Sequence, residues 1–154
     1  MNKQQILPVL ADCTTEVLEE MFFVSSLIEQ PEMVPVEDAL IADVFFHGAP
    51  SGHLTMLVSR ASARSIAADF LGEDEPAVSQ QQVEEVIAEL SNIICGSVLS
   101  RIESDATFRL EPPRVRWAGS SVAQEGAAIH SVGFDNGSLA IAFHTGPPLC
   151  PRTA

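Results

Sequence analysis

Four residues within one predicted helix are of types suited to binding a partner. They are Glu85, Glu89, Asn92 and Gly96, in the stretch QQQVEEVIAELSNIICGSVLSRI at residues 80–102. The carboxylates can pair with a cation, and the carboxamide can both donate and accept a hydrogen bond. A glycine leaves room for another chain to approach the helix closely. These residue types indicate a helix surface on which a charged, polar partner docks.

Helical spacing places these four residues in a narrow row. At about 100° per residue, Asn92 and Gly96 lie within about 20° of Glu85, and Glu89 lies about 40° from it. The apolar residues of the same helix occupy the other, broad side, which must face the core. They are Val83, Val86, Ile87, Leu90, Ile94 and Val98. Glycine inside a helix costs about 1 kcal/mol relative to alanine, so Gly96 favours a docking surface over a plain solvated one.

Further helices are predicted on either side of a strand pair. Residues 2–29 carry apolar side chains in steps of three and four, which is typical of a helix with one buried stripe. The stripe consists of Ile6, Leu10, Cys13, Val17, Met21, Val24 and Ile28. A second helix is predicted over residues 60–71, with Gly72 as its C-terminal cap. Ser79 is a suitable N-cap for the long helix, which ends near residue 103.

The remaining segments are strand-like and are separated by turn signals. Residues 36–48 and 52–59 flank the turn GAPSG and predict one hairpin. Residues 127–144 predict a second hairpin around Asn136-Gly137. A short extended run, TFRLEPPRVRWAG, follows the long helix. This order predicts an α+β fold, in which an antiparallel-rich β-sheet has the long N-terminal helix and the long central helix packed on one face.

Composition narrows the classes of partner. The 154 residues suffice for one domain with a buried core. We expect that domain at residues 1–146, followed by a loose Pro-rich tail at 147–154. With 8 Lys+Arg against 21 Asp+Glu the net charge is −13, so we expect no nucleic acid and no membrane surface as a partner. Without a membrane-spanning apolar run or a signal-peptide core, the sequence indicates a cytoplasmic protein.

The histidines and cysteines do not form a recognisable site. The four histidines lie in or beside strands, without a His-x-x-x-His or His/Cys pair at metal-ligand spacing. Cys13, Cys95 and Cys150 are odd in number and widely spaced, which weighs against a disulfide framework. We therefore expect no metal site in this chain, and buried thiols at Cys13 and Cys95.

The stretch ELSNIICG resembles the signature of the CheC/CheX/FliY phosphatases of bacterial chemotaxis, with Glu89-x-x-Asn92 in a helix and Gly96 four residues on. The segment TEVLEEMFFV at residues 15–24 is similar to the first helix of many CheX-type domains. The order of elements also agrees along nearly the whole chain. One departure is Glu85, where the family motif has Asp or Ser, and it leaves the role of Glu85 open.

A second site, which the CheC branch carries on its first helix, is not matched in this sequence. The corresponding residues are Glu16-x-x-Glu19, without an Asn in the fourth place. The resemblance therefore implies one site per chain, as in the CheX branch. It also implies a homodimer, for which the strands of the C-terminal hairpin could pair edge to edge.

The activity that the resemblance implies is phosphatase activity on a response regulator. The chain would accelerate hydrolysis of the aspartyl phosphate of a CheY-like regulator, in chemotaxis or related two-component signalling. Asn92 would orient the attacking water, and Glu89 would pair with the regulator's active-site lysine. Glu85 and Gly96 would help the helix to dock. No cofactor of its own is implied, because the regulator supplies the Mg²⁺.

Two other functions stay open on the sequence. The same fold could bind a regulator or another signalling partner without hydrolysis, but Asn92 favours the enzyme because a pure binding module has no need of it. The chain could also be a structural dimer domain whose acidic helix face is plain surface. Gly96 weighs against that function, because Ala, Lys or Gln would stabilise a solvated helix better.

Overall fold

Three α-helices and one β-sheet make up the part of the chain that the structure describes. The computed structural model describes residues 3–24, 28–29, 38–103, 105, 107–117, 127–134 and 137–146. The helices are α1 (Lys3–Glu20), α2 (Arg60–Leu71) and α3 (Gln80–Ile102), with one 3₁₀ turn at Glu75–Ala77. The strands are β1 (Ile28–Glu29), β2 (Ala39–His47), β3 (Gly52–Ser59), β4 (Arg109–Leu110), β5 (Arg114–Trp117), β6 (Ala128–Phe134) and β7 (Gly137–Thr145).

The strands form one antiparallel sheet in the order β1-β6-β7-β3-β2-β4, and β5 also pairs with β2. The hairpins β2–β3 and β6–β7 meet where β3 pairs with β7, for example at Met56 and Ile141. β4 and β5 pair with successive parts of β2, because Pro112 and Pro113 interrupt the run between them.

Alternation along β2 shows that the helices cover one face of the sheet. Leu40 and Val44 lie in the same hydrophobic core as the buried sides of α1, α2 and α3. Ala39 and Ile41, whose side chains point the other way, belong to a separate small cluster on the opposite face. The predicted α+β architecture, with helices on one face of an antiparallel sheet, is confirmed.

Of the two strands of the C-terminal hairpin, β6 lies near an edge of the sheet and β7 lies inside it. β7 lies between β6 and β3, and β1 pairs with β6 at Val132 and Gly133. Within the described residues, β6 has no strand on its outer side at 128–131, so this part of the hairpin is open to edge pairing. A homodimer stays a prediction, but β7 cannot form it by edge pairing.

The first helix ends at Glu20, so the prediction that it reaches residue 29 is wrong. Phe23 has a φ of 59°, in the left-handed region, and the chain leaves the helix axis there. The amide of Val24 donates to the carbonyl of Leu18 at 2.9 Å, which closes the helix end. A phenylalanine gives no sequence signal for this conformation, which is why the periodic pattern overran the end.

This early end changes which side chains are buried. Met21, predicted in the buried stripe, is 47% exposed, whereas Phe22 is buried and stacks on Phe70 with ring centroids 4.4 Å apart. Ile28 lies in β1 rather than in a helix. Within α1 the predicted stripe is confirmed, because its four residues there are buried: Ile6, Leu10, Cys13 and Val17.

The other helix ends match their predicted caps. Gly72 has a φ of 68° and its amide donates to the carbonyl of Ala68 at the end of α2. Ser79 caps α3 reciprocally: its hydroxyl accepts from the Gln82 amide at 3.1 Å, and the Gln82 side chain accepts from the Ser79 amide at 2.8 Å. Asn136 and the predicted tail at 147–154 lie outside the described residues.

Replacing the N-cap of α3 tests how much this box contributes to stability. We expect Ser79→Ala to lower the free energy of unfolding by about 1 kcal/mol, because the Gln82 amide loses its acceptor. Urea denaturation followed by circular dichroism measures the change. Ser100→Ala, an exposed position within α3, is the matched control and should be neutral or slightly stabilising. Equal losses in the two variants would contradict the capping role.

Candidate functional site

Helix α3 carries the predicted site and is oriented by its apolar side. The six apolar residues predicted to face the core are all buried: Val83, Val86, Ile87, Leu90, Ile94 and Val98. Ser91, Cys95 and Leu99 are buried beside them. Because side chains around a helix are fixed relative to one another, this burial leaves the row of Glu85, Glu89, Asn92 and Gly96 on the outer side.

The polar groups of this row are accessible. Glu85 and Glu89 are exposed, and Asn92 is half-buried at the helix surface. Within the part of the chain that the structure describes, the Glu89 carboxylate and the Asn92 carboxamide make no hydrogen bond or ion pair. Glu85 accepts only from the Gln81 side chain one turn earlier, at 3.2 Å. The carboxylate and the carboxamide one turn apart are therefore available to a partner.

Gly96 lies next to open space. A Cβ built on it would meet no atom within 4 Å. Gly52 is a useful contrast, because a Cβ there would lie 2.0 Å from the carbonyl oxygen of His144. Packing within the described fold therefore requires glycine at 52 but not at 96. The roles of all four residues in the row stay predictions, since geometry alone does not assign them.

Long-range contacts hold α3 at both ends. Near its start, the Trp117 indole donates to the Glu84 carboxylate at 3.1 Å, and the Arg60 guanidinium lies 4.1 Å from the Trp117 ring centre. Near its end, Arg101 forms an ion pair with Glu16 of α1. Sequence reasoning did not identify Trp117 or Arg60, because partners 33 and more residues apart leave no local pattern. The one available signal was that Trp117 is the chain's only tryptophan.

The corresponding surface of α1 is arranged differently. Glu16 is engaged by Arg101, and Glu19 is exposed with Glu20 beside it. Asp12, Thr15, Glu16 and Glu19 line a shallow cleft of about 380 Å³ against His130 of β6. No carboxamide side chain lines this cleft, so it lacks the pairing of carboxylate and amide that α3 presents.

The two described cysteines are buried structural residues, as expected. Burial raises the pKa of Cys95 to about 12, and burial also raises the pKa of Cys13 despite a hydrogen bond from Ser97. A thiol with a raised pKa holds little thiolate and is a poor nucleophile at neutral pH. Neither residue is therefore a candidate for covalent chemistry.

The described histidines have contacts within the sheet and its neighbouring loops. His47 pairs with Glu111 at 2.6 Å, which lowers the pKa of the Glu111 carboxyl. The rings of His53 and His144 lie 5.2 Å apart on adjacent strands. Among the described residues there is no group of three or more His, Cys, Asp or Glu side chains placed to hold a metal ion. None of the described helices is sufficiently long and apolar to cross a membrane.

Solved structures of chemotaxis proteins share this fold. A crystal structure of CheX from Vibrio vulnificus aligns with a TM-score of 0.77 at 17% identity, covering 95% of this chain and 99% of that one. CheX from Desulfovibrio desulfuricans aligns with a TM-score of 0.69 at 19% identity, covering 92% and 99%. The Borrelia burgdorferi chain from a CheX–CheY–BeF3–Mg²⁺ complex aligns at 0.69 with 18% identity, covering 90% and 97%.

Sequence comparison gives the family. A search of curated proteins finds no match. The family described as "Chemotaxis phosphatase CheX" matches residues 40–135, which is more than half of the chain and includes all of α3. The chain therefore belongs to the CheX family of chemotaxis phosphatases.

Proposed function

We propose that this protein accelerates hydrolysis of the aspartyl phosphate on a CheY-like response regulator. The observation that carries the proposal is the outer face of α3, where a carboxylate and a carboxamide, neither paired with a described residue, lie one turn apart beside an open glycine. Membership of the CheX family supports a phosphatase. The Borrelia neighbour, a CheX in complex with CheY, supports a CheY-like regulator as the substrate protein.

Asn92 is the residue proposed to act on the attacking water. Hydrolysis of an acyl phosphate needs a water molecule in line with the breaking P–O bond, and catalysis is mostly positioning and charge stabilisation. A carboxamide can accept a hydrogen bond from the water and donate another to a phosphoryl oxygen. It carries no charge, so it can approach the anionic phosphoryl group without repulsion. A carboxylate of the same shape would lack the donor and would repel the phosphoryl group.

Glu89 is the residue proposed to bind the regulator's active-site lysine. It lies three residues before Asn92, on the same exposed side of α3, so both side chains can enter one active site together. An ammonium–carboxylate hydrogen bond is short and about twice as strong as a neutral one. Because this contact both docks the helix and restrains the lysine, its loss should affect binding and turnover together.

The residues on either side of Glu89 and Asn92 allow the regulator to approach α3 closely. Gly96 presents only backbone one turn beyond Asn92, so the regulator can lie against the helix there. Glu85, one turn before Glu89, adds a negative charge to the face that would meet a lysine-bearing site. The Mg²⁺ in this proposal belongs to the regulator, where it offsets charge on the phosphoryl oxygens.

Substitution of Asn92 tests the catalytic proposal. A panel of CheY-like regulators from the same cell is phosphorylated with a small-molecule donor, and phosphate release is followed with and without this protein. We expect Asn92→Ala and Asn92→Asp to lower the accelerated rate by about 100-fold, because the water is no longer held in line. Binding of the Ala variant to the regulator, measured by calorimetry, should stay within about threefold of wild type.

The same experiment separates the enzyme from a binding module. Tight binding of a regulator by wild type and Asn92→Ala, with identical and unaccelerated phosphate loss, would leave docking as the function. If Asn92→Ala still accelerated phosphate release, another residue would have to orient the attacking water.

Substitution of Glu89 tests the docking contact. We expect Glu89→Gln to weaken regulator binding and to lower kcat as well, each by about tenfold, the effect of losing one charged hydrogen bond. Wild-type kcat/KM should fall as salt is raised, whereas the variant should respond less. Asp12→Asn, which removes one charge from the exposed side of α1, should behave as wild type. A variant with unchanged salt dependence would exclude the lysine contact.

Gly96→Ala separates the requirements of folding from those of docking. We expect the free energy of unfolding to rise by up to about 1 kcal/mol, because alanine is the better helix former and its methyl group meets open space. Regulator binding and phosphate release should both decline, since the methyl group blocks close approach. Ser100→Ala is the control, with no expected loss of activity. Full activity in Gly96→Ala would show that the glycine is not needed for docking.

A further inference from the structure

The exposed large apolar side chains of the described chain all lie at the ends of two helices. Met21 and Phe23 follow α1 and are 47% and 65% exposed, and Phe70 and Leu71 end α2 and are 36% and 37% exposed. The ring of Phe70 stacks on the buried Phe22 at 4.4 Å, which brings the two helix ends together. These four exposed residues, Met21, Phe23, Phe70 and Leu71, form what we call the apolar patch.

Phe23 occupies a conformation that favours glycine. Its φ is 59°, and the amide of the next residue, Val24, donates to the Leu18 carbonyl at the end of α1. At the end of α2 the equivalent left-handed position is Gly72, with a φ of 68°. Phe23 therefore strains the backbone, and with 65% of its surface exposed it buries little in return. A costly conformation at an exposed residue indicates a contact beyond the described residues.

Carboxylates flank the patch on both helix ends. Residues 19–24 and 69–75 contain six acidic side chains and no Lys, Arg or His. All six are exposed, and none pairs with another described residue: Glu19, Glu20, Asp69, Glu73, Asp74 and Glu75. The surface thus combines an apolar centre with a mostly acidic rim, beside which the Arg64 guanidinium donates to the Glu75 carbonyl at 3.0 Å.

We propose that the apolar patch binds an amphipathic segment of a partner protein, in which apolar side chains are flanked by lysine or arginine. Apolar groups of the segment would cover Phe23 and its neighbours, and the basic groups would meet the carboxylate rim. A second copy of the same patch would bring like charges together, as would nucleic acid or an anionic membrane. This contact does not involve Asn92 or Glu89 and goes beyond the phosphatase activity proposed above.

A defined peptide pair probes the patch. The first probe is a fluorescein-labelled helical peptide with leucines on one face and lysines elsewhere, and the second has every lysine replaced by glutamate. Fluorescence anisotropy with the full chain should show binding of the lysine peptide, weakening with salt, and no binding of the glutamate peptide. A chain of net charge −13 attracts any basic peptide, so the decisive comparison keeps the charge constant.

Phe23→Gly provides that comparison. It removes the ring, keeps the net charge and suits the left-handed backbone. We expect it to weaken binding of the lysine peptide by about tenfold or more, with a Tm equal to or above that of wild type. Phe23→Asn, which also tolerates this conformation, should give the same loss. Asn92→Ala should bind the peptide as wild type does, so a failure of this proposal is distinguishable from a failure of the phosphatase proposal.

The contribution of the carboxylate rim is tested with a variant inside the rim and a matched variant far from it. Glu19→Gln should weaken binding, whereas Glu103→Gln should not. Glu103 shares a cleft with Gln5, near the start of α1, and 16 residues of helix place Gln5 about 24 Å from Met21.

Four results would overturn the proposal. The first is equal binding of the lysine peptide by wild type and Phe23→Gly. The second is a lowered Tm of Phe23→Gly, because it would show that the ring stabilises the fold. The third is self-association, measured by light scattering, that Phe23→Gly abolishes, because it would assign the patch to a second copy. The fourth is a marked gain in peptide binding on deletion of residues 147–154, because it would assign the patch to the chain's own tail.

Discussion

Burial of one side of α3 against the sheet decides which residues of α3 can meet a partner. Seven aliphatic side chains of α3, the six predicted and Leu99, enter the core, and each contributes about 1.5–3 kcal/mol relative to exposure, as an upper estimate. Rotation of the helix by one residue, about 100°, would expose part of this set and turn the row of Glu85, Glu89 and Asn92 toward the core. An unpaired buried carboxylate costs several kcal/mol. The outward direction of Asn92 therefore follows from the core.

The elements that could be predicted from sequence are those whose signals are local. The capping box of Ser79, the glycine after α2 and the period of α3 each act within a few residues, and the structure agrees with all three. The end of α1 could not be predicted, because the residue that turns the chain is Phe23 rather than glycine. The bond from Trp117 to Glu84 could not be predicted either, since it depends on how β5 is placed beside α3.

The comparisons with solved structures concern the fold rather than the site. Identities of 17–19% accompany TM-scores of 0.69–0.77, because a core tolerates many apolar substitutions when volume and pattern are kept. Residues that serve packing can therefore change freely among such proteins. Asn92 and Gly96 make no described contact that the fold needs, so folding gives no reason for a carboxamide at one position and a glycine at the other.

Neither Gly96 nor Phe23 is the residue that its local backbone conformation favours, and the two differ from it in opposite directions. At Gly96 the helix would be about 1 kcal/mol more stable with alanine, and the space for a methyl group is open. At Phe23 the left-handed backbone favours glycine by about 1–2 kcal/mol, yet the chain places a large, mostly exposed ring there. Marginally stable proteins seldom carry two such costs on an exposed surface without a compensating contact. In the two proposals above, one site needs clearance and the other needs an apolar side chain, so the two departures correspond to two distinct proposed contacts, one against the face of α3 and one at the ends of α1 and α2.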